Sequence, residues 1–277
     1  MTSPLHAVVR GSGTPILFLH GFTVDHRILL PFEQDFAPDA PWERLYVDLP
    51  GFGESPAVAR PSSADATLAA LTAFVNERIG SRPFAVVGSS FGGLMARGLV
   101  AGFGDQAIGL GMLCPVVGPL ASRVLPAKTV LQSDPLLLAG LAPEDARDYA
   151  AMAVLQSEEN WRLFRDFALP GIRCHDREAA AELAERFDLS FVPEERGGPF
   201  VGPSLMVTGR QDHAVGFADQ LSLIPSYPRL TQLTLDACGH NAHFDQPELV
   251  HAAFREWLAR MAGSRRAAGS ASVRRPS

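Results

Sequence analysis

Short apolar runs alternate with longer segments of helical periodicity along most of this chain, and that alternation limits the possible folds more than any other feature. The runs are "PILFLHG" (15–21), "RLYVDLPG" (44–51), "FAVVGS" (84–89), "IGLGMLCPV" (108–116), "SLMVTGR" (204–210) and "LTQLTLDA" (230–237). Several are apolar nearly throughout, as strands buried on both faces are. Between them "DHRILLPFEQDF" (25–36), "SADATLAALTAFVNERIG" (63–80) and "FGGLMARGLVAGFG" (91–104) space their apolar residues helically, with Ser63 placed to cap the second and Gly80 to stop it. This predicts an α/β fold: a mostly parallel central sheet flanked by helices, with ligands bound at the carboxyl ends of the strands.

The alternation lapses between residues 117 and 200. There "PEDARDYAAMAVL" (143–155), "SEENWRLFRDFAL" (157–169) and "DREAAAELAERFDL" (176–189) read as helices, and "SLMVTGR" then resumes the sheet. A segment too long for a connection and too patterned for disorder predicts an inserted helical lid at 117–200, set into a core of 1–116 and 201–262. The end, "GSRRAAGSASVRRPS" (263–277), is small and polar and reads as a disordered tail.

With 277 residues and 47% hydrophobic content, the chain can bury a sizeable core. Its net charge is −6 and its basic residues are scattered outside the tail, so no nucleic-acid face is expected. Cys114, Cys174 and Cys238 are widely spaced, with no CxxC pair and no disulfide framework. The start, "MTSPLHAVVRGSG", lacks a signal pattern, and no apolar run approaches the ~20 residues of a membrane span. The expectation is a cytoplasmic protein without a membrane partner, acting on a small-molecule substrate.

Two serines stand where "FAVV" meets the helix "FGGLMARGLV". Gly88-Ser89-Ser90-Phe91-Gly92 fits G-x-S-x-G with Ser90 at its centre, whereas Ser89 has Val87 and Phe91 two residues away. In that motif a nucleophile sits on a sharp strand-to-helix turn, and glycines two residues either side avoid collision with neighbouring elements. A serine nucleophile needs a base, and the base an orienting acid. Asp212 follows "SLMVTG" in "GRQDHAV", and His240 follows "LTQLTLD" in "ACGHNAHFDQP". Each lies just past the carboxyl end of a predicted strand. An acid after the preceding strand is the alternative, but only Asp134 is near Cys114, and not closely.

"FLHGF" (18–22), "DLPGFGES" (48–55), "GSSFGG" (88–93), "GRQDHAVG" (209–216) and "GHNAHFDQPE" (239–248), in this order, resemble the motifs of the α/β-hydrolase superfamily over nearly the whole chain. The resemblance implies Ser90 as nucleophile, Asp212 as acid and His240 as base. It also implies the backbone N–H groups of Phe22 and Phe91 as the oxyanion hole. Dehalogenases and epoxide hydrolases of this fold carry aspartate at the elbow; serine here implies an esterase, thioesterase, lactonase, amidase or C–C hydrolase. The elbow and lid are similar to the branch containing carboxylesterases and meta-cleavage C–C hydrolases. A non-catalytic ligand-binding member is the alternative from another class.

No cofactor and no metal are expected; "HNAHFD" (240–245) offers two histidines and an acid, but His240 is needed as base. The lid carries Trp161, Phe164, Phe167, Phe187 and Phe191, and between 117 and 200 its 14 acids outnumber its 9 bases. This predicts small or medium uncharged acyl groups, with Trp161, Phe164 and His243 in contact with substrate.

Overall fold

A computed structural model describes residues 4–196 and 198–272. Seven strands form one sheet in the order β1-β3-β2-β4-β5-β6-β7, comprising β1 (Ala7–Arg10), β2 (Thr14–Leu19), β3 (Trp42–Val47), β4 (Phe84–Ser89), β5 (Ala107–Leu113), β6 (Ser204–Gly209) and β7 (Leu230–Leu235). All neighbours pair in parallel except β1, which runs antiparallel to β3. The six long strands coincide with the apolar runs. β1 is an addition: four half-exposed residues at a sheet edge carry no continuous apolar signal. From β2 the chain steps outward to β3 and then returns to β4 on the other side, so the loops after β2 and β4 meet at a switch point of the sheet.

Helix α1 (Ala64–Arg78) starts where Ser63 Oγ accepts the Ala66 N–H, and α2 (Phe91–Phe103) follows β4 without a break. These two pack together on the sheet. The 3₁₀ helix His26–Asp35 packs against the long final helix, Phe32 meeting Phe254 at 4.7 Å between ring centroids. Glycines in β5 make room for that helix, since Gly109 and Gly111 face Trp257.

Between β5 and β6 the described residues form helices and no strand: α3 (Pro135–Gly140), α4 (Pro143–Met152), α5 (Glu158–Leu163), α6 (Leu169–Cys174) and α7 (Arg177–Glu185). The expected helix at 157–169 is drawn out to residue 174, through a π-helical turn at Phe164–Ala168 that joins α5 to α6. After the short α8 (Ala242–Asp245), α9 opens at Pro247 and continues to Ser272. The tail expected from 263 is therefore helical through its first ten residues. Alanine and arginine there are strong helix formers extending a helix already nucleated. Residues 273–277 lie outside the described residues. No helix among the described residues is long and apolar enough to cross a membrane.

Candidate active site

The turn between β4 and α2 holds Ser90 at φ 54°, ψ −116°. A non-glycine residue in the left-handed region costs about 1–3 kcal/mol and persists only where its surroundings over-determine it. Four backbone hydrogen bonds do so here. Ser90 N–H donates to Leu113 O at 2.9 Å, while its carbonyl accepts from Gly93 N (2.9 Å), Leu94 N (3.3 Å) and Val116 N (3.0 Å). The flanking glycines have the expected steric cause. A methyl on Gly88 would strike the Gly92 carbonyl, and one on Gly92 the carbonyls of Leu19 and His20.

The loop after β2 presses against this turn; a methyl on Gly21 would lie 3.1 Å from Ser90 Cβ. His20 staples that loop. Its Nε2 accepts the Leu49 N–H at 2.8 Å, so its Nδ1–H donates to Gly21 O at 2.7 Å. Burial lowers its pKa and keeps the ring neutral. Among the described residues, neither Phe22 N–H nor Phe91 N–H is spent on a turn or loop hydrogen bond, and Phe91 opens α2, where helix N–H groups lack intrahelical partners.

Asp212 is wholly buried after β6. Its Oδ1 accepts from Ala214 N (2.9 Å) and Val215 N (3.0 Å), and its Oδ2 from His240 Nδ1–H (2.8 Å). Burial would raise the carboxyl pKa, but the facing imidazole and the two N–H groups lower it overall. Burial likewise works against a charged His240, yet Asp212 more than offsets it and the histidine's pKa rises. With Nδ1 donating, Nε2 is left with its lone pair free. Gln211 laces the two loops together, its N–H donating to Cys238 O (2.9 Å) and its Oε1 accepting Cys238 N–H (3.0 Å).

Ser90 Oγ makes no hydrogen bond among the described residues; the end of β5 links its turn to the loop that carries His240. Leu113 O holds Ser90 N–H, and the next residue, Cys114, directs its thiol to Gly239 O at 3.6 Å, immediately before His240. Donor atoms of Cys114, Asp212 and His240 lie within 4.8 Å of one another. Burial pushes the Cys114 thiol well up, so it stays protonated, and both Asp212 oxygens are engaged; this trio supports an Asp–His pair better than a cation. A second cluster centres on Asp48, which accepts from both His6 Nδ1 and His26 Nδ1 (2.8 Å each) and from Glu54 N–H (3.0 Å), and so fixes the "DLPGFGES" turn.

The sequence matches the Alpha/beta hydrolase family across residues 16–253. The chain belongs to the alpha/beta hydrolase family. It is 30% identical over 215 residues to Lipase LipV of Mycobacterium tuberculosis (strain ATCC 25618 / H37Rv), covering 66% of this chain and 74% of that protein. An alpha/beta superfamily hydrolase from Oenococcus oeni PSU-1 superposes with a TM-score of 0.86 at 27% identity, over 94% of this chain and 97% of that one. A thermophilic esterase from Thermogutta terrifontis gives 0.67 at 19% identity, over 93% of each chain, a likeness of fold alone.

In this alpha/beta hydrolase the residues expected to contact substrate have partners of their own. Trp161 and Phe164 turn inward onto Tyr149, at 5.3 and 5.4 Å, and form the insertion's own aromatic core. His243 is buried beneath its loop, Nε2–H donating to Ile28 O at 2.8 Å and the ring stacked on Phe32. Burial lowers its pKa to about 3, so it is a neutral packing residue. Phe187 packs on the two residues expected to form the oxyanion hole, its ring 4.7 Å from Phe91 and 5.4 Å from Phe22. Two of the polar ties that anchor the insertion are buried. Asn160 Nδ2 donates to Asp245 Oδ1 (2.8 Å), whose other oxygen accepts Gly239 N–H (2.8 Å). Arg97, two turns along α2 from Ser90, donates to both oxygens of Glu194 (2.6 and 2.7 Å) and to Val116 O (2.7 Å).

Proposed function

We propose that the chain is a serine hydrolase that cleaves a carboxylic ester through an acyl-enzyme, with Ser90 as nucleophile, His240 as general base and Asp212 as its orienting acid. The observation that carries this reading is the Asp212–His240 hydrogen bond at 2.8 Å, beside a serine held at positive φ. With its Nδ1–H committed to Asp212, the imidazole offers Nε2 to take the Ser90 proton as Oγ attacks the ester carbonyl. The N–H groups of Phe22 and Phe91 would receive the charge that develops on the carbonyl oxygen, a single such donor contributing about 2.7–4 kcal/mol elsewhere. The imidazolium then protonates the leaving alcohol, and water, deprotonated by the same ring, releases the acid. The insertion serves as a lid, with Phe187 over the reacting atoms.

A fluorophosphonate probe followed by peptide mass spectrometry tests the assignment, together with p-nitrophenyl esters of increasing chain length. The adduct is expected on Ser90. An adduct on Ser89, or undiminished labelling of Ser90→Ala, would overturn it.

A further inference from the structure

Arg123 follows the 3₁₀ turn Leu120–Ser122, and its guanidinium turns toward the loop that carries Asp212. Its Nε–H donates to Gly118 O at 2.9 Å and its Nη1 reaches Ala214 O only at 3.5 Å, the outer limit of a hydrogen bond. Its Nη2 is shielded from solvent and has no hydrogen-bond partner. Among the described residues no carboxylate lies within 4.0 Å of this cation, although other surface arginines of the insertion form such pairs. The guanidinium stands 5.8 Å from the ring of Phe187, the same ring that packs on Phe91 and Phe22. Ala214, its weak acceptor, belongs to the turn whose N–H holds Asp212. Gly118, which accepts the Arg123 Nε–H, lines a cavity of about 360 Å³ together with Leu94 of α2, Val117 and residues 188–192.

A half-buried cation with an idle donor and no carboxylate in contact is costly unless something supplies the acceptor. Burial indeed dominates its titration, lowering its pKa against the combined pull of Asp188, Asp212 and Asp219. The planar fork of Nη1 and Nη2 matches a carboxylate, which would engage both nitrogens and displace the long bond to Ala214 O. We infer that Arg123 is a specificity-determining residue that binds a free carboxylate on the substrate, so that the preferred esters carry one negative charge near the scissile bond. This rests on the serine-hydrolase reading above and names its substrate class. It also reverses the expectation of uncharged substrates, which counted the insertion's acids without regard to which charge faces the site.

The test compares kcat/KM for p-nitrophenyl butyrate with that for mono-p-nitrophenyl glutarate, which places the carboxylate on the acyl side, and for 4-carboxyphenyl butyrate, which places it on the alcohol side. One charged ester should be preferred over its neutral counterpart, identifying the side. In Arg123→Met that preference should fall roughly 10- to 150-fold, as for loss of a hydrogen bond to a charged group. Arg123→Lys should restore part of it. Equal losses on charged and neutral esters would mark Arg123 as a structural strut and overturn the inference, as would a wild type that favours neither charged ester. If no ester is turned over, the hydrolase reading fails by itself. Calorimetry with glutarate and with 4-hydroxybenzoate then decides for Arg123. Binding to the wild type that Arg123→Met abolishes upholds the carboxylate site, and absence of binding refutes it.

Discussion

Beneath Ser90 the strand ends are tied by the backbone, and above it the helical insertion arrives mainly through side chains. On the sheet side, the carbonyls and N–H groups of Ser90, Leu113, Val116, Ala214 and Val215 fix the candidate nucleophile and acid directly. On the insertion side two backbone bonds, Ala64 N–H to Arg186 O and Asp176 N–H to Gly51 O, stand beside side-chain ties that include Asn160 to Asp245, Arg97 to Glu194, Arg60 to Asp176, and the ring of Phe187 against Phe22 and Phe91. Backbone bonds survive most substitutions, because every residue carries the groups that make them. Side-chain ties do not. The contrast predicts a sheet wall whose substitutions change chemistry without changing the fold, and an insertion wall whose substitutions change stability and selectivity with smaller effects on the chemical step.

The largest effect tests the first half of that contrast. Ser90→Ala should lower kcat on the order of 10⁴–10⁶-fold, with a melting temperature close to wild type, because the four bonds that hold the turn are all backbone. A collapse in thermal stability would show that the hydroxyl shapes the turn. Asp212→Asn comes next, at about 10⁴-fold in kcat from the wrong histidine tautomer. The base must be neutral to act, and Asp212 raises the His240 pKa above the ordinary 6.5. Wild-type kcat/KM should therefore rise with pH through an apparent pKa above 6.5. In Asp212→Asn the residual activity should rise at lower pH, since burial then acts without the opposing charge. An unmoved acid limb would place the orienting acid elsewhere.

The insertion wall is tested by its best-buried tie. Arg97 and Glu194 side chains are 1% and 9% exposed. Arg97→Met leaves a buried carboxylate unpaired and should cost about 3–5 kcal/mol in urea unfolding. Its kcat, measured on the folded fraction, should change by less than about tenfold, far below the loss from Asp212→Asn. If Arg97→Met were to abolish turnover in folded protein, the two walls would be one unit and the contrast would fail.

The same contrast explains which parts could be read from the sequence. The strand-to-helix turn at Ser90 was legible because glycine at 88 and 92 has a local steric cause, and the positions of Asp212 and His240 after strands because each follows a long apolar run. β1 was not, since "AVVR" on an antiparallel edge is too short and too exposed to carry a pattern. His240 and His243 sit three residues apart in one loop, and only the fold separates a ring bonded to Asp212 from one buried against Ile28. The insertion's contacts were hidden for a further reason. Asn160 meets a residue 85 positions away, and nothing in the spacing of five insertion aromatics selects Phe187 over Trp161 as the ring that packs on Phe91. Arg123 was invisible in a charge count that could not tell an inward guanidinium from a solvated one.

The smallest predicted effect lies where the two walls join, at Asp245. Its carboxylate holds Gly239 N–H on the histidine loop and Asn160 Nδ2 on the insertion, and burial raises its pKa from 3.8 to about 6 against the pull of those two donors. A carboxyl group whose folded pKa is raised contributes its full stability below the unfolded value, and that contribution is lost as pH climbs through the folded value. The wild type should therefore lose stability as pH rises from about 4 to above 6. In Asp245→Asn the amide oxygen can still accept from Gly239 N–H, and Asn160 can turn its own oxygen to the new NH₂, so the tie survives without a charge. Thermal melts at pH 4.5 and 7.5 should then differ less in Asp245→Asn than in the wild type, with kcat at pH 7.5 within about fivefold of wild type, the loss of one hydrogen bond's worth at most. Asp245's charge also helps to raise the His240 pKa, so the acid limb of kcat/KM should move slightly downward in the variant. Asp245→Ala removes both bonds and should destabilise at every pH. If Asp245→Asn instead behaves like Asp245→Ala, ionisation of Asp245 is what fastens the insertion to the histidine loop, and the insertion wall shares the electrostatics of the Asp212–His240 pair.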